Sequence, residues 1–538
     1  PKPAAQKVDS TQVAQKPATG ATPAPASSTD TSGAAPKAAP PLAAMSSDTL
    51  PVDTIHVRTK KYELTLSTLG GGPISILLND YKYLNKQPIE MLVDGAIGVP
   101  DVSFAGGAVT TSKMNFRSSV PRGTYDATTQ PFEITYTFRS TAGGEIVRRY
   151  RFYPDRYDFD FNIQVNEREK FGFERQFSVV WNSPMGLSEP DLGADNDAIE
   201  AVAMMSGSRE KLKDYQDSTL NQSLTGNTSW VGVRAKYFSN VLIPRSREAD
   251  GCFAKGVRRA VVGPSGKYTE RKVTVGLDLS LPNVPTVEDS FTVFVGPLDY
   301  PLMASYKVGL QDIFGIGTTA FVGWMVKPFA LAVIWLLPKM YTVVPNYGFV
   351  IILFAVLVKL VTLPLSLKSF KSMAAMKELQ PKIDELRKRL KNNPQQLNQE
   401  TMKLYKAHGV NPLSGCLPIL LQMPLFFGLF SVFRQTILLR QAPFIGFITD
   451  LSRGASSYTD PYIVLVVLMI VFQFVSQKLT MASNQQNKMF LYIMPIFMGW
   501  LFYRFAAGLV LYWTCFSAFS LVDWYLFRRT KNPEVQSV

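Results

Sequence analysis

Hydrophobic and polar positions change rhythm twice along this chain. From about residue 52, apolar side chains alternate with polar ones in runs such as Tyr62, Leu64, Leu66, then Phe132, Ile134, Tyr136, Phe138, then Tyr157, Phe159, Phe161, Ile163, Val165. The same beat returns at Val273, Val275, Leu277, Leu279 and at Phe291, Val293, Val295. A period of two sends every second side chain to one face of a strand, and Gly70-Gly71-Gly72 and Gly143-Gly144 supply turns between runs. Antiparallel sheets with one buried face follow, packed as a large β-sandwich over residues 52–310. Ahead of it, residues 1–51 are mostly Ala, Pro, Thr, Ser and Lys. They have too little apolar side chain to offset the entropy of folding and read as a disordered periplasmic tether.

Beyond residue 320 the alternation gives way to long apolar runs. Tyr347 to Leu367 would measure about 31 Å as a helix, matching a hydrocarbon core of about 30 Å. The apolar stretch from Met489 to Phe527 would measure about 58 Å, too long for one crossing, and must fold back near Arg504 to Gly508. Five spans result, at about 347–367, 416–433, 461–479, 489–504 and 508–527, within a core of residues 343–530. Residues 311–342 are read differently. Lys327-Pro328 lies in the middle of their apolar stretch, where the lysine would be costly in lipid and the proline would kink a helix, so an interfacial amphipathic helix is expected.

Charge sets the orientation. The loop 368–413 holds Lys368, Lys371, Lys377, Lys382, Arg387, Lys388, Arg389, Lys391, Lys403 and Lys406, whereas 437–460 holds only Arg440 and Arg453. Basic loops stay in the cytoplasm, so the first loop and the tail 531–538 are cytoplasmic, and the β-domain lies in the periplasm. The net charge of +14 is thereby accounted for beside the membrane, and nucleic acid is not an expected partner, whereas membrane lipids are. A leader or signal anchor is expected to have preceded Pro1, because the β-rich residues read as exported and no apolar signal segment stands ahead of them.

Little in the chain suggests catalysis. Its three cysteines, Cys252, Cys416 and Cys515, form no paired motif, and its two histidines, His56 and His408, sit in no ligand pattern. No metal, cofactor or enzymatic activity is expected. Val262 to Tyr268 superficially resembles a phosphate loop, but Val261 stands in place of the first glycine and Tyr268 in place of the Ser/Thr, which leaves a hairpin turn.

Three features call for function. Lys359 is the lone strong cation in the first span and has no acid in that span, at a depth where a lysine costs roughly 2.5 to 3.5 kcal/mol. The cytoplasmic loop spaces Met376, Leu379, Ile383, Leu386 and Leu390 by threes and fours, with Asp384/Lys388 and Glu385/Arg389 as i,i+4 pairs, and a second helix follows Asn392-Asn393-Pro394. The hairpin so formed either packs on itself or docks a partner. Polar or proline positions recur in other spans: Gln422-Met423-Pro424, Gln473, Gln477, Pro495, Tyr512-Trp513-Thr514 and Ser517. They make a wet groove if they face Lys359 and interhelical glue if they do not.

Seven strings occur in order: Asn346 to Leu365 around Lys359, Leu379-Gln380-Pro381-Lys382-Ile383, Leu404-Tyr405-Lys406, Asn411 to Cys416, Gln422-Met423-Pro424, Leu439 to Phe444 and Gly508 to Trp513. Together they resemble the YidC/Oxa/Alb family of membrane protein insertases, in the Gram-negative form with a large periplasmic domain. The resemblance implies an α+β membrane protein: a periplasmic β-supersandwich, then a five-helix transmembrane bundle with a cytoplasmic helical hairpin. It implies an inner-membrane protein that inserts and helps fold other membrane proteins through a hydrophilic groove open to cytoplasm and lipid. Lys359, Gln422, Tyr512 and Trp513 would line the groove. Met423, Phe426, Pro495 and Phe497 would form the slide along which a substrate segment reaches lipid. The hairpin, with Pro381, Ile383, Leu386 and Leu390, would make first contact. Partners implied are nascent membrane proteins, the Sec translocon, and a ribosome or targeting receptor. Three departures stand out: lysine replaces the family's usual arginine at 359, which loses the bidentate fork; the family's first span, a signal anchor, is missing; and Ala506-Ala507 stand where a Pro-Ser or Pro-Ala pair is common, beside an unusual Arg504. A secondary transporter would be expected to show repeated halves or paired intramembrane acids, and an anchored carbohydrate-processing enzyme would not need five spans.

Overall fold

The computed structural model describes residues 51–531 apart from residues 94, 174, 264–265, 318–322, 410, 412–416 and 481–484. The expected tether, nearly all of the expected tail and most of the Asn411 to Cys416 string lie outside the described residues.

The period-two runs become two sheets. A five-stranded sheet runs in the order Pro88–Glu90, Gly72–Lys82, Tyr62–Ser67, Thr54–Arg58 and Gly123–Asp126, antiparallel except for the last pair. A fifteen-stranded sheet is built around Gly266–Ser280, Ala249–Gly263, Thr219–Arg234, Phe238–Pro244, Thr286–Pro297, Asp158–Asn166 and Glu145–Phe152, in that order. The alternating side chains are buried as their period requires, including Tyr62, Leu64, Leu66, Phe159, Phe161, Ile163, Val275 and Leu277. The ladder between Ala249–Gly263 and Gly266–Ser280 closes at Gly263↔Gly266, so the phosphate-loop lookalike is a hairpin connection. Arg148, fully buried, ties the sheets together: its guanidinium donates to Thr111 Oγ1 at 2.7 Å, to Gly98 O at 3.1 Å and to the carbonyls of Gly70 and Pro100. A buried guanidinium is tolerable when its terminal nitrogens are met in this way, although Nε finds no partner among the described residues. Two short helices, α1 (Leu192–Asp197) and α2 (Tyr300–Ala304), each start from an aspartate, Asp191 and Asp299, whose side chain accepts a backbone N–H.

The second half is helical: α3 (Gly323–Val343), α4 (Tyr347–Glu378), α5 (Gln380–Arg389), α6 (Pro394–Ala407), α7 (Leu417–Phe433), α8 (Ile463–Thr480), α9 (Gln485–Phe502) and α10 (Ala507–Lys531). By length and composition α3, α4 and α10 can each cross a membrane, while the described apolar stretches of the others are shorter: Gln422–Phe433, Ile463–Leu479 and Leu491–Phe502. The segment read as interfacial thus contains a helix with the length and apolarity of a span. Pro328 and Pro338 both lie inside it, each removing one backbone N–H from the helical ladder without ending the helix. Residues 311–314, placed with that helix by sequence, instead belong to a 3-10 turn, Leu310–Phe314, against the β-domain, where Arg234 donates to Ile313 O at 3.3 Å and Phe314 O at 3.2 Å.

Helix α4 is capped by Asn346, whose side chain accepts from Gly348 and Phe349, and it runs past Leu367 to Glu378. The hairpin therefore begins later than the lysines suggest, and Met376 belongs to the last turns of α4. The expected fold-back near Arg504 is present, since α9 ends at Phe502 and α10 starts at Ala507. The loop after α7 clasps this turn: Ala455 N donates to Tyr503 O at 2.9 Å, Ala507 N to Arg453 O at 2.7 Å and Gly508 N to Leu451 O at 2.8 Å. Gly454 must be glycine here, because a Cβ would collide with the Arg504 carbonyl.

Two buried arginines fasten the β-domain to the helices. Arg440, in the loop after α7, pairs with Glu189 at 2.6 Å and donates to Lys82 O at 2.9 Å, with its guanidinium over the Phe238 ring. Arg234 donates to Gln435 Oε1 at 2.9 Å. Burial holds the Glu189 carboxyl above the usual range despite the facing guanidinium.

Candidate functional site

The site forms where α4 and α10 pack side by side. Both helices start beside the loop that follows α7, with Phe349 against Phe444 and Gly508 N bonded to Leu451 O. Lys359, about 18 Å along α4, therefore comes level with the later turns of α10. Phe516, Ser520 and Asp523 stand at i, i+4 and i+7, which places them on one face of α10. Lys359 reaches that face. Its ammonium lies 2.8 Å from Asp523 Oδ2, donates to Ser520 Oγ at 2.7 Å and sits 4.3 Å from the centre of the Phe516 ring. Both charged residues are buried, Lys359 at 8% exposure and Asp523 at 3%. The expectation of an unneutralised cation is corrected: its own span holds no acid, but α10 supplies one. A lysine among apolar helices is tolerable once a carboxylate neutralises it and a hydroxyl accepts from it.

The remaining sequence candidates divide. Tyr512, fully buried one turn before Phe516, packs on Phe354 and Phe516 with ring centres 5.9 Å away in each case, and its hydroxyl finds no partner among the described residues. Trp513 points elsewhere on α10 and donates to Gln473 Oε1 of α8 at 3.3 Å. Gln473 thus acts as interhelical glue, and Thr514 bonds back to Val510 O. Gln422 is half-buried on α7, and its Nε2 has no partner among the described residues.

Of the four slide residues, Met423 and Phe497 face outward, at 44% and 48% exposure. Phe426 turns inward instead, with its ring 5.2 Å from Trp513 and 5.7 Å from Phe502, and Pro495 is buried. In the hairpin, Ile383 is buried, Leu386 and Leu390 are half-buried and Pro381 is exposed. In α5 Asp384 pairs with Arg387 at 3.4 Å, one residue short of the i,i+4 spacing read from sequence, and in α6 Glu400 pairs with Lys403 at 2.8 Å. By sequence Asp523 reads as an acid near a cytoplasmic end rather than a partner of Lys359, and Ser520 and Phe516 carry no role. The available signal was a polar pair at helical spacing within an apolar run, on the face that also carries Tyr512.

Residues 339–534 match the family model described as 60Kd inner membrane protein, and residues 54–331 match that of the YidC periplasmic domain. Membrane protein insertase YidC of Chlorobaculum tepidum is 33% identical over 500 residues, covering 89% of this chain and 82% of that protein. That of Chloroherpeton thalassium is 32% identical over 500 residues, covering 89% and 83%. A solved structure of an active YidC insertase with its first transmembrane domain resolved covers 88% of this chain and 94% of its own, at 20% identity and a TM-score of 0.37. On the two family models and the full-length relatives, this chain belongs to the YidC family of membrane protein insertases.

Proposed function

We propose that this inner-membrane protein receives the polar leading segment of a nascent membrane protein beside Lys359 and releases its apolar segment sideways into lipid. The observation that carries this reading is an ionisable pair, Lys359 with Asp523, buried between two apolar helices, where intramembrane charge marks a functional site by default. The half-buried Gln422, whose donor is unmet among the described residues, offers a further polar contact for an extended segment. Around them the helical surface is apolar: Leu357, Leu360 and Val361 on α4, Met423 and Phe427 on α7, and Ile496, Phe497 and Trp500 on α9 are exposed. Such a surface suits contact with hydrocarbon and with a departing substrate helix.

In this reading the β-domain is a periplasmic supersandwich, and α4, α7, α8, α9 and α10 are the five spans. The hairpin of α5 and α6 lies in the cytoplasm, as its basic residues require, and touches substrates first. Membrane lipids and nascent membrane proteins are the partners. A secondary transporter finds no support in the family to which the chain belongs.

The Lys359 series tests the reading in cells that depend on this protein. Lys359→Arg should keep insertion, whereas Lys359→Ala and Lys359→Glu should impair substrates with acidic leading segments most. A Lys359→Glu variant that inserts such substrates as well as the parent does would make the charge incidental.

A further inference from the structure

We propose that Asp523 is a built-in competitor for the groove cation, so that an acidic substrate side chain must replace it on Lys359 during insertion. The proposal rests on the reading of Lys359 as the substrate-facing charge.

An ammonium has three N–H donors. Ser520 Oγ accepts one at 2.7 Å, Asp523 Oδ2 stands 2.8 Å away as the counter-charge of an ion pair, and the Phe516 ring covers a further side at 4.3 Å. All three groups stand on one face of α10, so the resting cation presents to an incoming chain a neutral pair rather than a bare charge. The field of such a pair falls off faster than that of a lone charge, and a substrate gains from it only by taking the place of Asp523. Exchanging one carboxylate for another keeps the lysine neutralised throughout, which avoids the cost of leaving it unpaired in a poor solvent. An uncharged tail cannot make this exchange, and the site becomes selective for acid without binding it tightly. A lysine suits this role because it is a compact point charge without the rigid fork that would hold a carboxylate in two bonds.

The alternative is a permanent structural pair. It predicts that losing Asp523 harms assembly and leaves substrate choice untouched.

The experiment uses the full chain in proteoliposomes and two short single-span substrates that differ only by Asp or Asn in the leading segment. The readout is the lifetime of the complex, followed by photocrosslinking from the tail to the protein. Asp523→Asn is expected to lengthen the lifetime of the Asp-bearing substrate roughly tenfold or more, in the range of close charge-pair couplings, and to leave the Asn-bearing one unchanged. An unchanged or shortened lifetime for the Asp substrate overturns the competitor role. Lys359→Ala is run beside it: if it erases the difference between the two substrates, the groove reading stands whatever Asp523→Asn does. If the difference survives Lys359→Ala, the groove reading itself fails. Should Asp523→Asn not assemble, the exchanged pair Lys359→Asp with Asp523→Lys keeps both charges and is expected to retain the preference for acid. Loss of that preference in a well-assembled exchanged pair also overturns the proposal.

Discussion

A charged side chain between apolar helices has to bring its counter-charge with it, and Lys359 does so through Asp523. The lysine was legible in the sequence because it interrupts an apolar run at depth. The aspartate was not, because it lies among Trp524, Tyr525 and the basic end of α10, where an acid reads as a solvated terminus. Only the packing of α4 on α10 brings together residues so distant in sequence. Tyr512 is a second residue whose role depends on neighbours. Its ring packs and its hydroxyl is unmet among the described residues, so Tyr512→Phe should leave thermal stability unchanged or raise it by up to about 1 kcal/mol. Tyr512→Ala should cost about 3 to 5 kcal/mol by opening a cavity. Thermal unfolding in detergent checks both, and a clear loss in the Phe variant would mean that the hydroxyl has a partner, substrate or water, that the resting contacts lack.

Among elements, period and length were readable while boundaries were not. The strands fell where alternation put them, because a sheet with one buried face has to alternate. The end of α4 was misplaced at the first lysines because basic residues mark the membrane edge, not the helix edge. Lys, Ser, Met and Ala all propagate a helix, and α4 continues until Leu379, just before Pro381 opens α5. The attachment of the β-domain to the loop after α7 left no sequence signal, since Arg440 and Glu189 stand in unrelated segments. Breaking this buried pair should be costly. Arg440→Ala leaves Glu189 without its cation and is expected to weaken the attachment by about 3 to 5 kcal/mol. Joint replacement, Arg440→Met with Glu189→Leu, should recover most of that loss, because an apolar contact does not have to repay desolvation. Thermal unfolding with limited proteolysis between the two halves reads the difference; equal losses in the single and joint variants would place the strength of the attachment elsewhere.

At the scale of the whole molecule, a sheet domain is held by buried arginines against a helical domain whose outer surface is apolar and whose buried Lys359 is neutralised from within. The family was legible because short strings with fixed chemistry, such as Gln422-Met423-Pro424 and Leu511-Tyr512-Trp513, recur in order across the helical half. The contacts of those residues were not, and Phe426 and Pro495 turned inward where a lipid-facing slide was expected. As a member of an insertase family, this chain is expected to move a substrate into the bilayer. The direct measurement is reconstitution of the purified protein into liposomes, followed by synthesis of a short membrane protein with an acidic leading segment and by protease treatment. A protected fragment should appear with the parent protein, fall sharply with Lys359→Glu and be absent from empty liposomes. Equal protection in empty liposomes, or none with the parent, would contradict the account.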